Sequence, residues 1–195
     1  MEFIRKLAKI HDLQIRVKKL EGGPRAYLIK DIVYLDSSMM PERRNFTFCH
    51  ELAHHILRHS AKESLSMDME REANQLAAEL LLPPETFRED ASKYPLDKLK
   101  EMYPQASWEV IARSKLALVP AVLTIFDNGK RTVRIAPDDY QFPKRLMPLE
   151  KCVFEFCFAN HQHYDDSDNV MTVQGYFVDT GDSVKRVLLW TEFFE

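Results

Sequence analysis

The chain has 195 residues, of which 45% are hydrophobic and 29% charged, and a formal net charge of −3 at pH 7. This length allows one substantial core, or a main domain with a smaller appendage, in an ordinary soluble globular protein. The negative charge does not favour direct binding to nucleic acid. The sequence shows neither a signal-peptide pattern nor an apolar run of about 20 residues, so we expect a cytoplasmic protein without a membrane span. Three cysteines are too few for a disulfide framework, and we expect them to be reduced.

The first 60 residues predict a helix, two extended segments and a second helix. Apolar residues recur at helical spacing over residues 2–10. Residues 13–20 and 26–36 have the composition of strands and are separated by a Gly-Gly-Pro break. Pro41 can open the next helix, where its missing N–H costs nothing, and we expect that helix to reach about Ser60.

Helical patterns continue to about residue 118. The strongest covers about Met67 to Leu82 and is stopped by two prolines. Two shorter helices are predicted at residues 96–102 and 108–118. They resemble a helix-turn-helix pair, but nearby glutamates oppose Arg113 and Lys115, which favours packing or substrate docking over DNA binding.

The composition becomes β-rich after Pro120. An Asp-Asn-Gly sequence predicts a hairpin at residues 127–129, and further strands are predicted at residues 152–159, 170–179 and 184–194. The chain is therefore expected to have an α+β fold. Residues 1–119 would form a helical domain with a small N-terminal sheet, and residues 120–195 a mostly β region of unassigned role.

An H-E-x-x-H array lies in the segment FCHELAHHILRH, residues 48–59. Residues four apart on a helix share a face, so His50 and His54 can bind one metal ion while Glu51 lies at its edge. Zinc binds neutral imidazole nitrogens in tetrahedral geometry, and a catalytic zinc has three protein ligands and one open position. The array supplies two of those three ligands.

The other candidate side chains of this segment are expected to point elsewhere. At about 100° per residue, His55 and His59 lie about 140° and 180° from His50, which predicts that both are surface residues directed away from the metal. Cys49 lies about 100° round the helix and is expected to be a small core residue. The third ligand must come from another part of the chain.

The segment MEREANQLAAELLLP, residues 69–83, is the best source of that ligand. Glu70 falls on the stripe of small and apolar residues that includes Ala73, whereas Glu72 lies about 160° away on the expected solvent face. We predict Glu70 as the third ligand, with Glu72 as the fallback. Asn74, one turn after Glu70, is placed to hydrogen-bond a ligand and fix its orientation.

This set of residues suits peptide hydrolysis with one zinc ion per chain. Glu51 would act as general base, taking a proton from water that the metal has acidified and delivering it to the leaving amine. A surface helix with incidental histidines would explain the first motif alone. It would not explain a carboxylate on the buried face of a second helix.

The segments RRNFTFCHELAHHILRH, EREANQLAAELLLP and SWEVIARSKLAL resemble those of the ImmA/IrrE family of metallopeptidases, the M78 type. The resemblance covers about residues 25–118. It implies a gluzincin-like fold in which His50, His54 and a glutamate of the EREAN segment hold zinc and Glu51 is the catalytic base. Many relatives have alanine and glycine where this chain has Cys49 and Ala53, and both replacements are small.

The resemblance also implies a partner. Family members typically cleave or inactivate a helix-turn-helix repressor, often encoded beside them on mobile elements or in stress-response loci. The alternative is a non-catalytic, zinc-containing binding partner that sequesters a transcription regulator. An intact H-E-x-x-H favours the enzyme, because a binding module does not need Glu51.

A second group of possible metal ligands, Cys152, Cys157, His161 and His163, is found in the C-terminal region. We expect the two thiols on opposite faces of a strand and the two histidines in a polar loop, so a metal site is not predicted there.

Overall fold

The computed structural model describes residues 1–59, 66–180 and 184–194. Within these ranges the chain forms seven helices, a three-stranded sheet and a five-stranded sheet, which confirms the predicted α+β class and its β-rich C-terminal part. Two compact units are present: Met1–Phe87 with Lys100–Ser107, and Arg88–Leu99 with Trp108–Glu195. The functional division at residue 119 stays a prediction. No helix in the described ranges is long and apolar enough to cross a membrane.

The first unit contains the H-E-x-x-H segment. Its elements are α1 (Glu2–Ile10), β1 (Gln14–Lys18), β2 (Ala26–Ile29), β3 (Ile32–Asp36), α2 (Pro41–Ile56) and α3 (Met67–Leu81). They are followed by α4 (Pro84–Lys93) and α5 (Leu96–Met102), which have residues in both units. The sequence did not predict α4, because the proline pair was interpreted only as a helix stop. Pro84 instead opens α4, at a position where proline is tolerated.

The three-stranded sheet has the order β1-β3-β2. The central strand β3 pairs in parallel with β1 and antiparallel with β2. The predicted strand at residues 26–36 is therefore a hairpin of two strands, reversed at Lys30, which adopts a positive φ of 56°. Val33 and Leu35 alternate along β3 and are fully buried, and α2 packs against β2 and β3.

The helices α2 and α3 pack against each other. Pro41 occupies the first turn of α2, and the Ser66 hydroxyl caps α3 by accepting the N–H of Met69 at 3.2 Å. The fully buried residues of both helices include small ones, namely Cys49, Ala53, Ala73 and Ala77. Small buried side chains allow two helix axes to approach closely.

The second unit is built on an antiparallel sheet of order β5-β4-β8-β7-β6. Its elements are α6 (Trp108–Leu116), β4 (Val122–Asp127), β5 (Lys130–Ile135), α7 (Pro148–Asn160), β6 (Tyr164–Ser167), β7 (Met171–Asp179) and β8 (Lys185–Phe193). The predicted hairpin is confirmed between β4 and β5. Asn128 and Gly129 turn it with φ values of 50° and 80°, which asparagine and glycine adopt at low cost.

Residues 152–159, predicted as a strand, lie within α7, so that prediction was wrong. Their aromatic residues favour strands in isolation. Two other features favour the helix: Pro148 starts its first turn, and the Glu150 carboxylate accepts the N–H of Met147 at 2.8 Å. Val153 and Cys157, four residues apart, are both fully buried in the core of this unit.

A buried ion pair joins β5 to α7. Arg134 and Glu150 form two parallel hydrogen bonds of 2.9 and 3.1 Å, and their side chains are 5% and 0% exposed. Thr191 on β8 donates a hydrogen bond to Glu150 at 2.9 Å, and Thr124 on β4 accepts one from Arg134 at 2.6 Å. The pair therefore links three strands and the helix, with both charges well satisfied.

Replacing Glu150 with alanine is expected to lower the free energy of unfolding by about 3–5 kcal/mol, because it leaves a buried guanidinium without its partner. Urea titration followed by circular dichroism measures the change. Glu89→Ala is the matched control: its exposed pair with Lys93 is screened by water, and its loss should leave the free energy of unfolding nearly unchanged. Equal effects of the two substitutions would contradict the role given to the buried pair.

Candidate metal centre

Two histidines of α2 and one glutamate of α3 converge on one point. The Nε2 atoms of His50 and His54 are 3.0 Å apart. Glu70 directs one carboxylate oxygen to each of them, with Oε2 3.4 Å from His50 Nε2 and Oε1 3.6 Å from His54 Nε2. Among the described residues, these three form the one group of potential ligand atoms that all lie within 4.8 Å of one another.

These separations fit a tetrahedral zinc ion. Two ligand atoms that are each about 2.0–2.1 Å from a tetrahedral zinc lie about 3.3 Å apart. The two imidazole nitrogens are 3.0 Å apart, and they lie 3.4 and 3.6 Å from different oxygens of Glu70. The Glu70 side chain is 42% exposed, against 19% and 13% for His50 and His54. The group is therefore open to solvent on the glutamate side, as a fourth ligand position requires.

Asn74, one turn after Glu70, contacts the ring of His50. Its Oδ1 is 3.1 Å from His50 Nδ1. A carbonyl oxygen only accepts hydrogen bonds, so the His50 ring carries its proton on Nδ1. The Nε2 atom of His50 is then free to bind a metal, and the hydrogen bond fixes the orientation of the ring.

His59 does not point away from the other histidines, so its prediction as a surface residue was wrong. Its Nδ1 atom is 2.9 Å from the Nδ1 atom of His54, and its side chain is 7% exposed. The helical wheel failed because α2 ends at Ile56, before His59; the predicted end of this helix at Ser60 lies outside the described residues. His55 is exposed, as predicted.

A chain reversal at the end of α2 brings His59 to this position. Arg58 adopts a left-handed conformation with φ 56°, its N–H donates to the carbonyl of His55, and the N–H of His59 donates to the carbonyl of His54. This is the Schellman pattern of helix termination. The left-handed residue is usually glycine, and an arginine there leaves little signal in the sequence.

Glu72 lies outside the group formed by His50, His54 and Glu70. Its Oε2 atom is 3.4 Å from His59 Nε2, and its side chain is 62% exposed. The two glutamates of the EREAN segment thus contact different histidines. Glu70 faces the Nε2 atoms of His50 and His54, whereas Glu72 faces the ring of His59, which lies behind His54.

The carboxyl of Glu51 is held in an environment suited to proton transfer. Burial raises its pKa, and the neighbouring Glu70 carboxylate raises it further, while a hydrogen bond from the Leu28 backbone opposes the rise. A carboxyl with a raised pKa accepts and releases protons closer to neutral pH than an exposed glutamate does. Leu28 belongs to β2, so the sheet positions this side chain.

The pKa of His54 is lowered, first by burial and then by the neighbouring His50, while Glu70 opposes the change. A lowered pKa keeps the imidazole neutral to a lower pH than usual. Neutral imidazole is the form that binds metal, so the environment of His54 favours a ligand role near neutral pH.

The cysteines contribute no donor atom to this group. Cys49 is fully buried, and burial raises the pKa of its thiol to about 12. In the second unit, Cys157 is buried with its pKa raised to about 11, whereas Cys152 is exposed. These two lie on a helix, not on a strand as predicted, and are about 140° apart around its axis.

The histidines of the C-terminal region also have separate surroundings. His161 Nε2 lies 3.0 Å from Lys185 Nζ, and the His163 ring packs near Trp108 and Tyr176. Among the described residues, the two histidines and two cysteines of this region do not form a group with metal-binding distances.

The family of the chain follows from comparison with known proteins. The family model of Peptidase M78, described as the IrrE N-terminal-like domain, matches residues 8–113. The match covers more than half of the chain and includes His50, Glu51, His54 and Glu70. The chain therefore belongs to the Peptidase M78 family, which confirms the resemblance of its motifs and supports a peptidase-type fold.

The fold is also found among solved structures. A Mycobacterium tuberculosis transcriptional regulator superposes with a TM-score of 0.66 at 12% sequence identity, over 99% of this chain and 80% of that chain. At this identity the similarity shows the fold alone. Comparison with curated proteins gives no significant match.

Purified protein saturated with zinc is expected to hold about one ion per chain. His50→Ala, His54→Ala and Glu70→Ala should each abolish this content, because each removes one of the three predicted ligands. Glu72→Ala and the exposed His55→Ala should retain it. Elemental analysis after gel filtration measures the metal. Retention of zinc by the Glu70 variant together with its loss from the Glu72 variant would transfer the third ligand to Glu72.

Proposed function

We propose that this protein is a zinc-dependent endopeptidase that hydrolyses a peptide bond in a protein regulator. The observation that carries the proposal is the mutual approach of His50, His54 and Glu70 at separations suited to zinc. Glu51, next to a proposed ligand in the chain, adds a carboxyl group with a raised pKa. Membership of the Peptidase M78 family supports the same reaction class.

His50, His54 and Glu70 would hold the zinc, and Glu51 would move the proton. When bound at such a site, zinc acidifies water and polarises a carbonyl group. The Glu51 carboxylate accepts a proton from the attacking water, whose oxygen forms a bond to the carbonyl carbon. The C–N bond then breaks, and Glu51 returns the proton to the leaving amine. Peptide and water are thereby converted into a carboxylate product and an amine product.

The outer strand β2 offers a way to position the peptide. In the three-stranded sheet, β2 pairs with β3 on one side, and the Leu28 backbone is hydrogen-bonded to Glu51. An extended peptide added to an exposed strand edge gains main-chain hydrogen bonds without requiring a particular sequence. A substrate segment in this position would run beside Glu51 in an extended conformation.

A helix-turn-helix repressor is the substrate we propose. The family resemblance of the motifs supports this choice, and the structural neighbour from Mycobacterium tuberculosis is itself a transcriptional regulator. The competing function is sequestration of such a regulator by a zinc-containing protein that does not cleave it. The environment of Glu51 favours the enzyme, because sequestration requires no carboxyl group poised for proton transfer.

The zinc-loaded protein is expected to fragment a purified helix-turn-helix repressor encoded beside its gene, and removal of zinc by a chelator should stop the cleavage. Glu51→Gln should retain zinc and slow cleavage by at least about 100-fold, since it removes the proton acceptor. Gel electrophoresis and mass spectrometry detect the fragments.

His55→Gln is the matched control on the exposed side of the same helix and should cleave at the wild-type rate. Cleavage by the Glu51 variant at that rate would contradict the assigned role. A stable, zinc-loaded complex in which the repressor stays intact would establish sequestration in place of proteolysis.

A further inference from the structure

His59 lies directly behind one of the proposed metal ligands. Its Nδ1 atom is 2.9 Å from His54 Nδ1, while the opposite nitrogen of His54 is directed at His50 and Glu70. Glu72 contacts the far side of the His59 ring, with its carboxylate 3.4 Å from Nε2. The three side chains form a line from Glu72 through His59 to His54.

The chemistry of this line sets the direction of its hydrogen bonds. An ionised carboxylate only accepts, so His59 carries a proton on the Nε2 atom that faces Glu72. The Nδ1 atom of a neutral His59 then has a lone pair and accepts the proton of His54 Nδ1. His54 is left with an unprotonated Nε2, which is the form that binds a metal.

We propose that His59, backed by Glu72, is a positioning residue that fixes the tautomer and the ring orientation of His54 for metal binding. The inference rests on the metal centre proposed above and does not depend on which substrate is cleaved. Asn74 fixes the ring of His50 in the same way. Because Asn74 and Glu72 both belong to α3, this helix supports both histidines. Glu72, set aside as a ligand, acquires a separate role in this arrangement.

His59→Ala is expected to weaken zinc binding about 10–100-fold, the range typical of lost partners behind a metal-binding histidine. Competition against a chromophoric chelator measures the dissociation constant. The visible spectrum of the Co²⁺-loaded protein should also change, because the His54 ring is no longer fixed. His59→Asn should restore much of the affinity, since its amide oxygen can accept from His54 at the place of Nδ1.

His55→Ala is the control for removing an imidazole from the same end of α2, and its zinc affinity should equal that of the wild type. Glu72→Ala should have a smaller effect than His59→Ala, because the Glu72 side chain is 62% exposed and water can replace its contact with His59. The unfolding temperature of the zinc-free His59→Ala protein should stay close to that of the zinc-free wild type, which separates a lost fold from a lost ligand orientation.

The turn that carries His59 allows a test that leaves its side chain in place. Arg58→Pro cannot adopt the left-handed conformation, because proline fixes φ near −65°. It should lower zinc affinity as His59→Ala does. Arg58→Gly removes the same exposed side chain and keeps the turn, so its zinc affinity should be unchanged.

Unchanged zinc affinity in both His59→Ala and Arg58→Pro, in a background where the wild type binds zinc, would overturn the inference and leave the metal centre intact. A wild-type protein that binds no zinc at all would instead overturn the centre on which the proposed function rests. The two failures are therefore distinguishable by the same titration.

Discussion

The close approach of α2 and α3 is the constraint on which the candidate centre depends. Glu70 reaches both histidines at 3.4 and 3.6 Å only because the two helices are in contact along their buried faces. Helix axes that are separated by large side chains lie farther apart. The small residues buried on these helices are Cys49, Ala53, Ala73 and Ala77. Their size allows the helix approach that brings Glu70 to the two histidines.

The helix α3 contributes three polar side chains to this geometry. Its Glu70 faces the two histidines, its Asn74 accepts from His50, and its Glu72 contacts His59. Glu70 and Asn74 leave from one side of the helix and Glu72 from another, so the three contacts together restrict the register and rotation of α3. A rotation of α3 that kept its apolar stripe roughly in place would still break the polar contacts. The polar groups therefore specify the packing that the small residues permit.

Much of this arrangement could be predicted from the sequence, because it follows from helical periodicity. The spacing of His50 and His54 places both on one face, and the stripe that contains Ala73 separates Glu70 from Glu72. Periodicity also predicted α1 and α3 with nearly correct bounds, and the Asp-Asn-Gly turn predicted the hairpin of β4 and β5. Long amphipathic helices and Asn-Gly turns are strong local signals, since each depends on neighbouring residues alone.

The predictions from sequence failed where a helix ends or begins. His59 was misplaced because Arg58 ends α2 in a conformation that the sequence normally signals with glycine. The aromatic run of α7 was misplaced because aromatic residues favour strands in isolation, and the start of a helix at Pro148 with the Glu150 cap was overlooked. Local sequence pattern therefore identifies the candidate ligand side chains better than it identifies the residues that hold them in place.

The chemical nature of the donors has a consequence for metal choice. The candidate centre offers imidazole nitrogen and carboxylate oxygen, and the adjacent thiol of Cys49 is buried and protonated at neutral pH. Soft ions such as Cu(I), which prefer sulfur, gain no thiolate here. An oxidant likewise finds no exposed thiolate beside the ligands, because the reactive form of cysteine is the ionised one. Oxidants that release zinc from cysteine-rich sites would therefore find no thiolate to oxidise among the candidate ligands.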